Sequence, residues 1–419
     1  MTDREFEIVA LDAQGRGVAE GGQIIPFALP GERVRARVGG RLAELQEVKI
    51  PAAERAQPFC RYFTRCGGCA SQHMDAGLYS AWKRGQVVEV LRRIGVRAEV
   101  EPLADAHGAG RRRATFHARF PHGEPDEVGF MRARSHAIVA IEDCPLFAPA
   151  MSGASAAARA LAANLRGVGK PLDITVTASI DGLDVDLRGS GPLAFAENRK
   201  IARTADRLDL ARVSNHGATM VERRAPRVTF GDALVILPPG AFLQATEEGE
   251  AALAAFVESA CEARGKVVDL FCGTGAFALR LARNHETVAV DFDPAAIAAL
   301  DRAARSTPGL QAVRTEARDL FARPLSPDEL RGFEAAVFDP PRAGAEAQAH
   351  AFADSALPLV AAISCNAQSF SRDARILLDG GFALDRVSLL DQFKYSPHVE
   401  IAAVFRRQGG RKRPRRILG

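Results

Sequence analysis

The 419-residue sequence has little that would mark a secreted or membrane-bound protein. Its opening segment, MTDREFEIVALD, lacks an apolar run of the length that a signal peptide or a membrane span requires. It contains no internal repeats, and its net charge of +4 is too small to identify a partner. A hydrophobic content of 47% with 25% charged residues is typical of a soluble globular protein, here of two or three domains. We therefore expect a cytoplasmic protein that does not bind a membrane.

The positive charge, although small in sum, is unevenly distributed along the chain. Arg111 to Arg113 are consecutive, and the run RKRPRR occupies residues 411–416. Short basic runs attract phosphate backbones. For either run alone, however, a solvated surface is the more frequent explanation.

The sequence has seven cysteines, which are expected to be reduced in a cytoplasmic protein. Their spacing therefore points to metal binding or catalysis rather than to disulfides. Cys60, Cys66 and Cys69 lie within ten residues of one another, and Cys144 is a candidate fourth ligand. Four thiolates suit either tetrahedral zinc or a cubane iron–sulfur cluster. The spacing alone does not distinguish the two.

Three regions of the chain differ in their secondary-structure pattern. Residues 1–50 predict a small β-unit in which Arg33, Arg35 and Arg37 share one face, suited to RNA or simply to solvent. Residues 51–230 mix short strands with helices predicted near 78–97 and 153–165. From residue 231 onward strands and helices alternate, which predicts an α/β domain with a mostly parallel, doubly wound sheet. Its predicted strands are 266–271, 287–291, 335–338, 359–364, 387–390 and 400–405.

The segment VVDLFCGTGAFALRLA predicts a buried strand, a glycine turn and a helix. Gly273 and Gly275 allow a sharp turn and a close approach of a ligand to the backbone, a pattern that loosely fits dinucleotide sites as well. Asp269, at the end of the strand, would balance a ligand with positive charge, which favours S-adenosylmethionine over a pyrophosphate. Asp291 ends the next strand, where an acid can bind ribose hydroxyls.

Three later strand ends carry chemically active residues. Asp339-Pro340-Pro341-Arg342 forms a rigid ledge after one strand, and Cys365 follows the next. Asn366 and the pair Arg372-Asp373 are expected to surround this thiol with polar partners, although a lone cysteine is more often a small buried apolar residue. Glu400 begins the last strand, either as a surface residue or as an acid directed at the site.

These residues together predict one reaction. C5 of uracil is a poor nucleophile, but a thiolate that adds to C6 makes C5 enolate-like and able to attack a methyl sulfonium. The C5 proton must then leave to a general base before the cysteine is eliminated. Cys365, Glu400 and the glycine turn would supply the nucleophile, the base and the methyl-donor site around a flipped base.

Over nearly its whole length the chain resembles the bacterial RNA uracil-C5 methyltransferases, specifically the iron–sulfur branch that modifies large-subunit ribosomal RNA. The resemblance lies in the cysteine cluster, PGAFLQA at 239–245, DLFCGTG, DPPRAG, SCN with a downstream RD, and HVE. It implies a TRAM-like, RNA-binding β-barrel at 1–50 and a central α+β, RNA-binding domain with the cluster at 51–230. It further implies a Rossmann-like class I methyltransferase domain at 231–419.

The same resemblance implies roles for individual residues. Cys365 would be the nucleophile and Glu400 the base, and Cys60, Cys66, Cys69 and Cys144 would hold a structural or RNA-positioning [4Fe-4S] cluster. The implied contacts of S-adenosyl-L-methionine are Gln244, Phe271, Gly273, Gly275, Asp291, Asp319 and Asp339. The implied substrate is 23S rRNA, with the T-loop of tRNA as the alternative, and a monomer is the default state.

The sequence departs from the family pattern at three positions: Ala276 and Thr246 stand where asparagine is usual, and Ala367 where proline is usual. Two other classes of function stay open. An adenine or guanine N-methyltransferase would need the glycine turn and the ledge but neither Cys365 nor Glu400. A non-catalytic RNA-binding factor could keep the fold and the cysteines, and the departures are its best support.

Overall fold

A computed structural model describes residues 2–262 and 265–408 of the chain. The basic run at 411–416 lies outside the described residues. Among the helices described, none combines the length and the apolar character needed to cross a membrane.

Residues 2–50 form a curled, five-stranded antiparallel sheet in the order β3-β2-β1-β4-β5. Its strands are β1 (Thr2–Leu11), β2 (Gly17–Ala19), β3 (Ile24–Ile25), β4 (Arg33–Val38) and β5 (Ala43–Ile50). A bridge between Ile24 and Leu42 brings the two edges of the sheet towards each other. The sheet therefore closes around a small apolar core that includes Ile8, Val34 and Ala36.

The arginines of β4 share one face, as the alternation predicts, because Val34 and Ala36 between them are buried. Each arginine has an acidic neighbour across the sheet. Arg33 lies 3.4 Å from Glu7, Arg35 lies 3.2 Å from Glu47, and Arg37 lies 3.3 Å from Asp3. The face is thus compensated in charge, and the uniformly basic surface that the arginines alone suggest is absent from it.

The next elements are helix α1 (Ala76–Arg93) and the short strand β6 (Leu103–Asp105). Val87, Leu91 and Val100 are buried in the apolar core of the C-terminal sheet. Residues 76–105 therefore pack with the C-terminal region, although the sequence pattern groups them with the central one. The sequence pattern does not predict this grouping, because these residues are buried against segments that lie more than 250 positions later in the chain.

A seven-stranded mixed sheet forms the centre of the chain in the order β13-β12-β11-β10-β7-β8-β9. Its strands are β7 (Arg113–Arg119), β8 (Glu127–Met131), β9 (Ile138–Ala140), β10 (Leu172–Ser179), β11 (Gly182–Arg188), β12 (Arg212–Asn215) and β13 (Ala218–Glu222). Helices α2 (Ala154–Asn164) and α3 (Phe195–Arg207) cover one face, and 3₁₀ turns occupy Pro149–Met151 and Arg166–Val168. The alanines of α2 let it pack closely against the sheet.

A hairpin of β14 (Arg227–Phe230) and β15 (Ala233–Ile236) comes next in the chain. The strands after it form an eight-stranded sheet together with β6, in the order β18-β17-β16-β19-β20-β22-β21-β6. The further strands are β16 (Lys266–Leu270), β17 (Glu286–Asp291), β18 (Val313–Ala317), β19 (Ala335–Phe338), β20 (Leu359–Ser364), β21 (Phe382–Asp391) and β22 (Glu400–Arg407). The helices are α4 (Glu247–Cys261), α5 (Ala278–Leu281), α6 (Pro294–Ser306), α7 (Glu346–Asp354) and α8 (Ala367–Asp379). The six strands predicted from 266 to 405 are all present, and the α/β class is confirmed.

The central strands of this sheet are buried on both faces. Along β19, Ala336 and Phe338 join the core on one side of the sheet, whereas Ala335 and Val337 join the core on the other. This alternation is the pleat of a β-strand covered by helices on both sides. Strands β16 to β20 are parallel, so their carboxyl ends meet at one edge, where open α/β sheets hold their ligands.

Candidate active site

Cys365 and Glu400 meet at this edge because β22 runs antiparallel to β20. The pairing of Ser364 with Ile401 places the end of one strand beside the start of the other. The Glu400 side chain is buried, and Cys365 is half-buried. Burial, and the negative charge of Glu400 after it, raise the pKa of the Cys365 thiol to about 11, while Arg342 acts in the opposite direction. The thiol is therefore protonated in the ligand-free protein at neutral pH.

A chain of hydrogen bonds connects Glu400 with Asp339. The carboxamide of Gln392 donates to Glu400 Oε2 and to Gln244 Oε1, both at 2.8 Å. The carboxamide of Gln244 in turn donates to Asp339 Oδ2 at 2.7 Å. Two acids, one at the start of β22 and one at the end of β19, are thus bridged by two glutamines.

Both acids at the ends of this chain have raised pKa values. Burial raises the pKa of Asp339 to about 7, and the hydrogen bond from Gln244 opposes the shift. Burial, followed by the charge of Asp339, raises the pKa of Glu400 to about 8. A carboxylate with a pKa near neutrality can accept a proton in one step and release it in another, as a general base must.

A second pair of acids lies at the glycine turn. Asp269 is fully buried, and burial raises its pKa well above the usual value, although the nearby backbone N–H of Ala278 opposes the shift. Among the described residues, neither oxygen has a partner at full hydrogen-bond geometry. Asp291 accepts the backbone N–H of Gly273 at 2.9 Å and that of Asp293 at 2.9 Å. An unpartnered buried carboxylate is unstable unless a ligand supplies donors or positive charge, so the turn suits a cationic ligand.

The backbone of the turn requires its glycines and strains a neighbour. Gly275 has φ of +97°, and a Cβ atom there would lie 2.7 Å from Leu300 Cγ. Phe271 has φ of +62°, and its ring packs on Phe321 with ring centres 5.5 Å apart. Asp319 accepts the backbone N–H of Phe321 at 2.9 Å, so it shapes the loop that contacts Phe271.

Two exposed phenylalanines and one buried glutamine at this edge are missing from the sequence-based predictions. Phe292 directly follows Asp291 and is 74% exposed, and Phe321 is 52% exposed. An exposed phenylalanine beside a strand end is a candidate for ligand contact. It can be recognised in the sequence only after the end of the strand has been predicted. Gln392 directly follows β21, so the rule that polar residues at strand ends form the site would have identified it.

The polar residues after Cys365 differ from the expectation. Asn366 donates to the backbone oxygen of Arg342 at 3.1 Å, and Asp373 accepts the backbone N–H of Ala345 at 2.8 Å. Arg372 pairs with Asp373 at 2.7 Å. These side chains hold the loop of the Asp-Pro-Pro ledge rather than hydrogen-bonding the thiol. They were misassigned because sequence proximity to Cys365 does not show that α8 turns them towards the ledge.

Of the three departures from the family pattern, Thr246 has a clear structural role. Its side chain caps α4 by accepting the N–H of Gly249 at 3.0 Å, and it donates to the backbone oxygen of Ala106 at 2.6 Å. Thr246 therefore fastens the segment after β6 to the start of α4. Ala367 simply begins α8, which Asn366 caps.

The four clustered cysteines line one cavity of about 260 Å³, together with Arg111 and aromatic side chains. Burial raises the pKa of Cys69 to about 12 and that of Cys144 to about 11. Across the described ranges, no three or more His, Cys, Asp or Glu residues are grouped closely enough to hold a metal ion. The four cysteines predicted as ligands thus line one cavity, and metal binding there stays a prediction.

Comparison with known proteins places this arrangement in a family. Residues 239–408 match the family model described as tRNA (Uracil-5-)-methyltransferase. An "Uncharacterized RNA methyltransferase" of Mesorhizobium japonicum is 43% identical over 418 residues, covering 99% of both chains. The 23S rRNA (uracil(1939)-C(5))-methyltransferase RlmD of Chromohalobacter salexigens is 31% identical, covering 97% of this chain and 90% of that protein.

A solved structure supports the same fold. The tRNA (uracil-54, C5)-methyltransferase of Pyrococcus abyssi, in complex with S-adenosyl-L-homocysteine, superposes with a TM-score of 0.74 at 20% identity. The match covers 96% of this chain and 99% of the other. Fold, sequence and the paired strand ends agree, and the chain belongs to the S-adenosylmethionine-dependent RNA (uracil-5-)-methyltransferase family.

Proposed function

We propose that the protein methylates C5 of a uridine in 23S rRNA through a covalent adduct of Cys365. The observation that carries the proposal is the register of β20 and β22, which brings Cys365 beside Glu400 at the ligand-binding edge of the sheet. The named relative that acts on uracil of 23S rRNA supports ribosomal RNA as the substrate. A uridine in the T-loop of tRNA is the alternative.

Each proposed catalytic residue has one task. The Cys365 thiol first releases its proton to solvent, and the thiolate adds to C6 of the uracil, which makes C5 nucleophilic. Bound S-adenosylmethionine supplies the methyl group that C5 receives. Glu400 then takes the proton from C5, and the electrons of that C–H bond restore the C5–C6 double bond and expel the thiolate. The raised pKa of Glu400 suits this exchange of one proton per turnover.

The residues around the glycine turn fit S-adenosylmethionine. Asp269 is buried and Asp339 is half-buried, and positive charge on the ligand would stabilise both acids, while Asp291 ends a strand where ribose hydroxyls can be bound. Gln244 and Gln392 connect Asp339 to Glu400 by hydrogen bonds. Gly273, Gly275, Phe271 and Asp319 would contact the ligand or shape the rest of its site.

We assign the four clustered cysteines, Cys60, Cys66, Cys69 and Cys144, to a [4Fe-4S] cluster. The assignment rests on the one cavity that all four cysteines line and on the resemblance of their spacing to that of the iron–sulfur branch. Tetrahedral zinc is the alternative. The cluster would fasten the loop of Cys60–Cys69 to that of Cys144 and has no redox task in the reaction.

The regions of the chain would divide the work accordingly. Residues 1–50, as a TRAM-like barrel, and 51–230, with the cluster, would bind RNA, and 231–419 would carry out methyl transfer. Because the face of β4 is compensated in charge, RNA contacts of the N-terminal sheet would rely on other surfaces. The protein would act in the cytoplasm, as a monomer.

The proposal is tested by incubating anaerobically purified protein with S-adenosylmethionine and unmodified total RNA, and mapping 5-methyluridine by mass spectrometry. Methylation of one 23S rRNA fragment, lost in Cys365→Ala, is the expected result. Methylation confined to tRNA would change the substrate. Full activity of Cys365→Ala, or a methyl group on adenine or guanine, would overturn the mechanism, and binding of RNA without any methylation would favour a non-catalytic factor.

A further inference from the structure

Gln392 lies between the two acids of the candidate site and is 0% exposed. Its carboxamide makes three hydrogen bonds: Nε2 donates to Glu400 and to Gln244, and Oε1 accepts the backbone N–H of Ala245 at 3.0 Å. Both donor hydrogens of the amide are therefore used. A buried polar group with this many well-formed bonds is fixed in orientation.

The backbone N–H of Ala245 sets the direction of the whole chain of hydrogen bonds. This group can only donate, so the oxygen of the Gln392 amide must face it and the nitrogen must face Glu400 and Gln244. Gln244 then receives a donor on its oxygen, and its own nitrogen must face Asp339. Each acid is consequently held by an amide donor.

The segment that carries Gln392 is fastened at both ends. Asp391, immediately before it, forms a buried ion pair with Lys83 and accepts the Tyr79 hydroxyl at 2.6 Å. The backbone oxygen of Tyr395 accepts the N–H of Ala70 at 2.7 Å and the hydroxyl of Ser71 at 3.0 Å. The amide of Gln392 is thereby anchored by α1 and by the loop that follows Cys69.

We infer that Gln392 is a positioning residue for Glu400, holding Oε2 of the carboxylate so that Oε1 is presented to the proton on C5 of the substrate. This inference rests on the proposed role of Glu400 as the base. Among the described residues, no protein donor is recorded for Oε1, whereas Oε2 is held by Gln392. With Oε2 held, the Glu400 carboxylate cannot rotate freely. Its Oε1 therefore points in one direction instead of several.

The inference predicts a selective defect. At saturating S-adenosylmethionine, which offsets the lost hydrogen bond to Gln244, addition of Cys365 and methyl transfer proceed without the amide, because neither step uses Glu400 as the base. Removal of the C5 proton slows by about 10- to 100-fold, the usual effect of losing a group that orients an active residue. The methylated covalent adduct then accumulates, visible as RNA that stays attached to the protein in a denaturing gel.

RNA that contains 5-fluorouridine separates this step from the earlier ones. Fluorine cannot leave as a cation, so the adduct with this RNA forms irrespective of the base and persists. In Gln392→Met, we expect adduct formation with 5-fluorouridine RNA at the wild-type rate and slow release of product from ordinary RNA. Gln392→Glu keeps the size and the acceptor oxygen but loses the amide donors, and we expect the same selective defect in it.

Gln348 provides the matched control. It is also a buried glutamine, and it bonds the backbone of Leu325 through both ends of its amide, with no hydrogen bond to Glu400, Gln244 or Asp339. Gln348→Met tests the general effect of removing a buried amide. We expect it to leave unchanged the ratio between the rate of adduct formation with 5-fluorouridine RNA and the rate of product release from ordinary RNA. An equal fall of both rates in both Gln392 variants would show a merely structural role and overturn the inference, as would unchanged turnover. Failure of the wild-type protein to form any adduct would overturn the proposed function instead.

Discussion

The Lys83 ammonium and the Asp391 carboxylate form a buried ion pair that joins α1 to the last residue of β21. The hydroxyl of Tyr79, one turn earlier on α1, donates to the other oxygen of the same carboxylate. The pair connects residues 308 positions apart in the chain. It thus fixes the strand end that immediately precedes Gln392, and through it the surroundings of Glu400.

Removing one partner of this pair should be strongly destabilising. Lys83→Met leaves Asp391 as a buried charge with only the tyrosine hydroxyl, and we expect the free energy of unfolding to fall by about 3–5 kcal/mol. Urea unfolding followed by circular dichroism measures the change. Arg92→Met is the control on the same helix, because its ion pair with Glu89 is exposed, and we expect it to change the free energy of unfolding far less. Equal effects of the two substitutions would contradict the structural assignment.

The affinity for S-adenosylmethionine should rise with pH. The pKa values of Asp339 and Glu400 are raised to about 7 and about 8, so both acids carry protons at pH 6 and lose them by pH 9. Positive charge on the ligand favours their ionised forms, so binding releases protons across this window. Calorimetry in buffers of different ionisation enthalpy measures the release. S-adenosylhomocysteine lacks the sulfonium charge and should show a weaker dependence, and identical pH profiles for the two ligands would refute the prediction.

Glu400→Gln should stop the reaction after methyl transfer. The amide cannot accept the C5 proton, so the methylated adduct with Cys365 should persist on ordinary RNA and turnover should fall by about 10²- to 10⁴-fold. Mass spectrometry of the protein–RNA adduct identifies the attachment site. Glu286→Gln removes an exposed acid that pairs with Lys266 at the surface and should turn over normally. Release of free, methylated RNA by Glu400→Gln at the wild-type rate would exclude Glu400 as the base.

Alanine should be tolerated differently at the two glycines of the turn. At Gly275, a Cβ would lie 2.7 Å from Leu300 Cγ in addition to adopting a left-handed backbone, whereas at Gly273 no other atom lies within 4 Å. We expect Gly275→Ala to lower the free energy of unfolding by about 2–4 kcal/mol and Gly273→Ala by about 1 kcal/mol. Thermal unfolding of the ligand-free variants compares them. A larger loss at Gly273 would contradict the described packing.

Iron content should depend on the four cavity cysteines and be independent of the nucleophile. Cys144→Ala should lose iron and the visible absorption of a cluster, because it removes the ligand that joins the two loops. Cys365→Ala should keep both while losing activity. Stoichiometric zinc in place of iron in anaerobically purified wild-type protein would overturn the cluster assignment.

Much of the C-terminal sheet could be predicted because its strands are short apolar runs between turn and helix signals. Residues 335–338 and 359–364 are buried along their whole length, and their predicted bounds agree with the structure. Strand β18, with the sequence VRTEA, has no fully buried residue and was not predicted. A partly exposed edge strand lacks the apolar pattern on which such predictions depend.

Polar residues at the ends of buried strands, such as Asp291, Asp339 and Cys365, could be named from the sequence as candidates for the site, and their roles stay predictions. Gln392 obeys the same rule but went unnoticed, because the predicted strand ended at residue 390, one residue short of the true end at Asp391. The roles of Asn366 and Asp373 were misassigned since hydrogen-bond partners depend on how α8 is oriented. Adjacency in sequence does not determine that orientation.

By itself, the sequence determined the α/β class, the strands that bear the acids and the thiol, and the glycine turn, because each depends on local patterns of burial and backbone freedom. Only the tertiary structure decided which of these residues interact. The antiparallel register of β22 on β20 placed Glu400 beside Cys365, and the packing of α1 against the C-terminal sheet fixed Gln392 between the two acids. Such contacts join segments hundreds of residues apart, and their geometry follows from the packing of the whole core rather than from any local pattern.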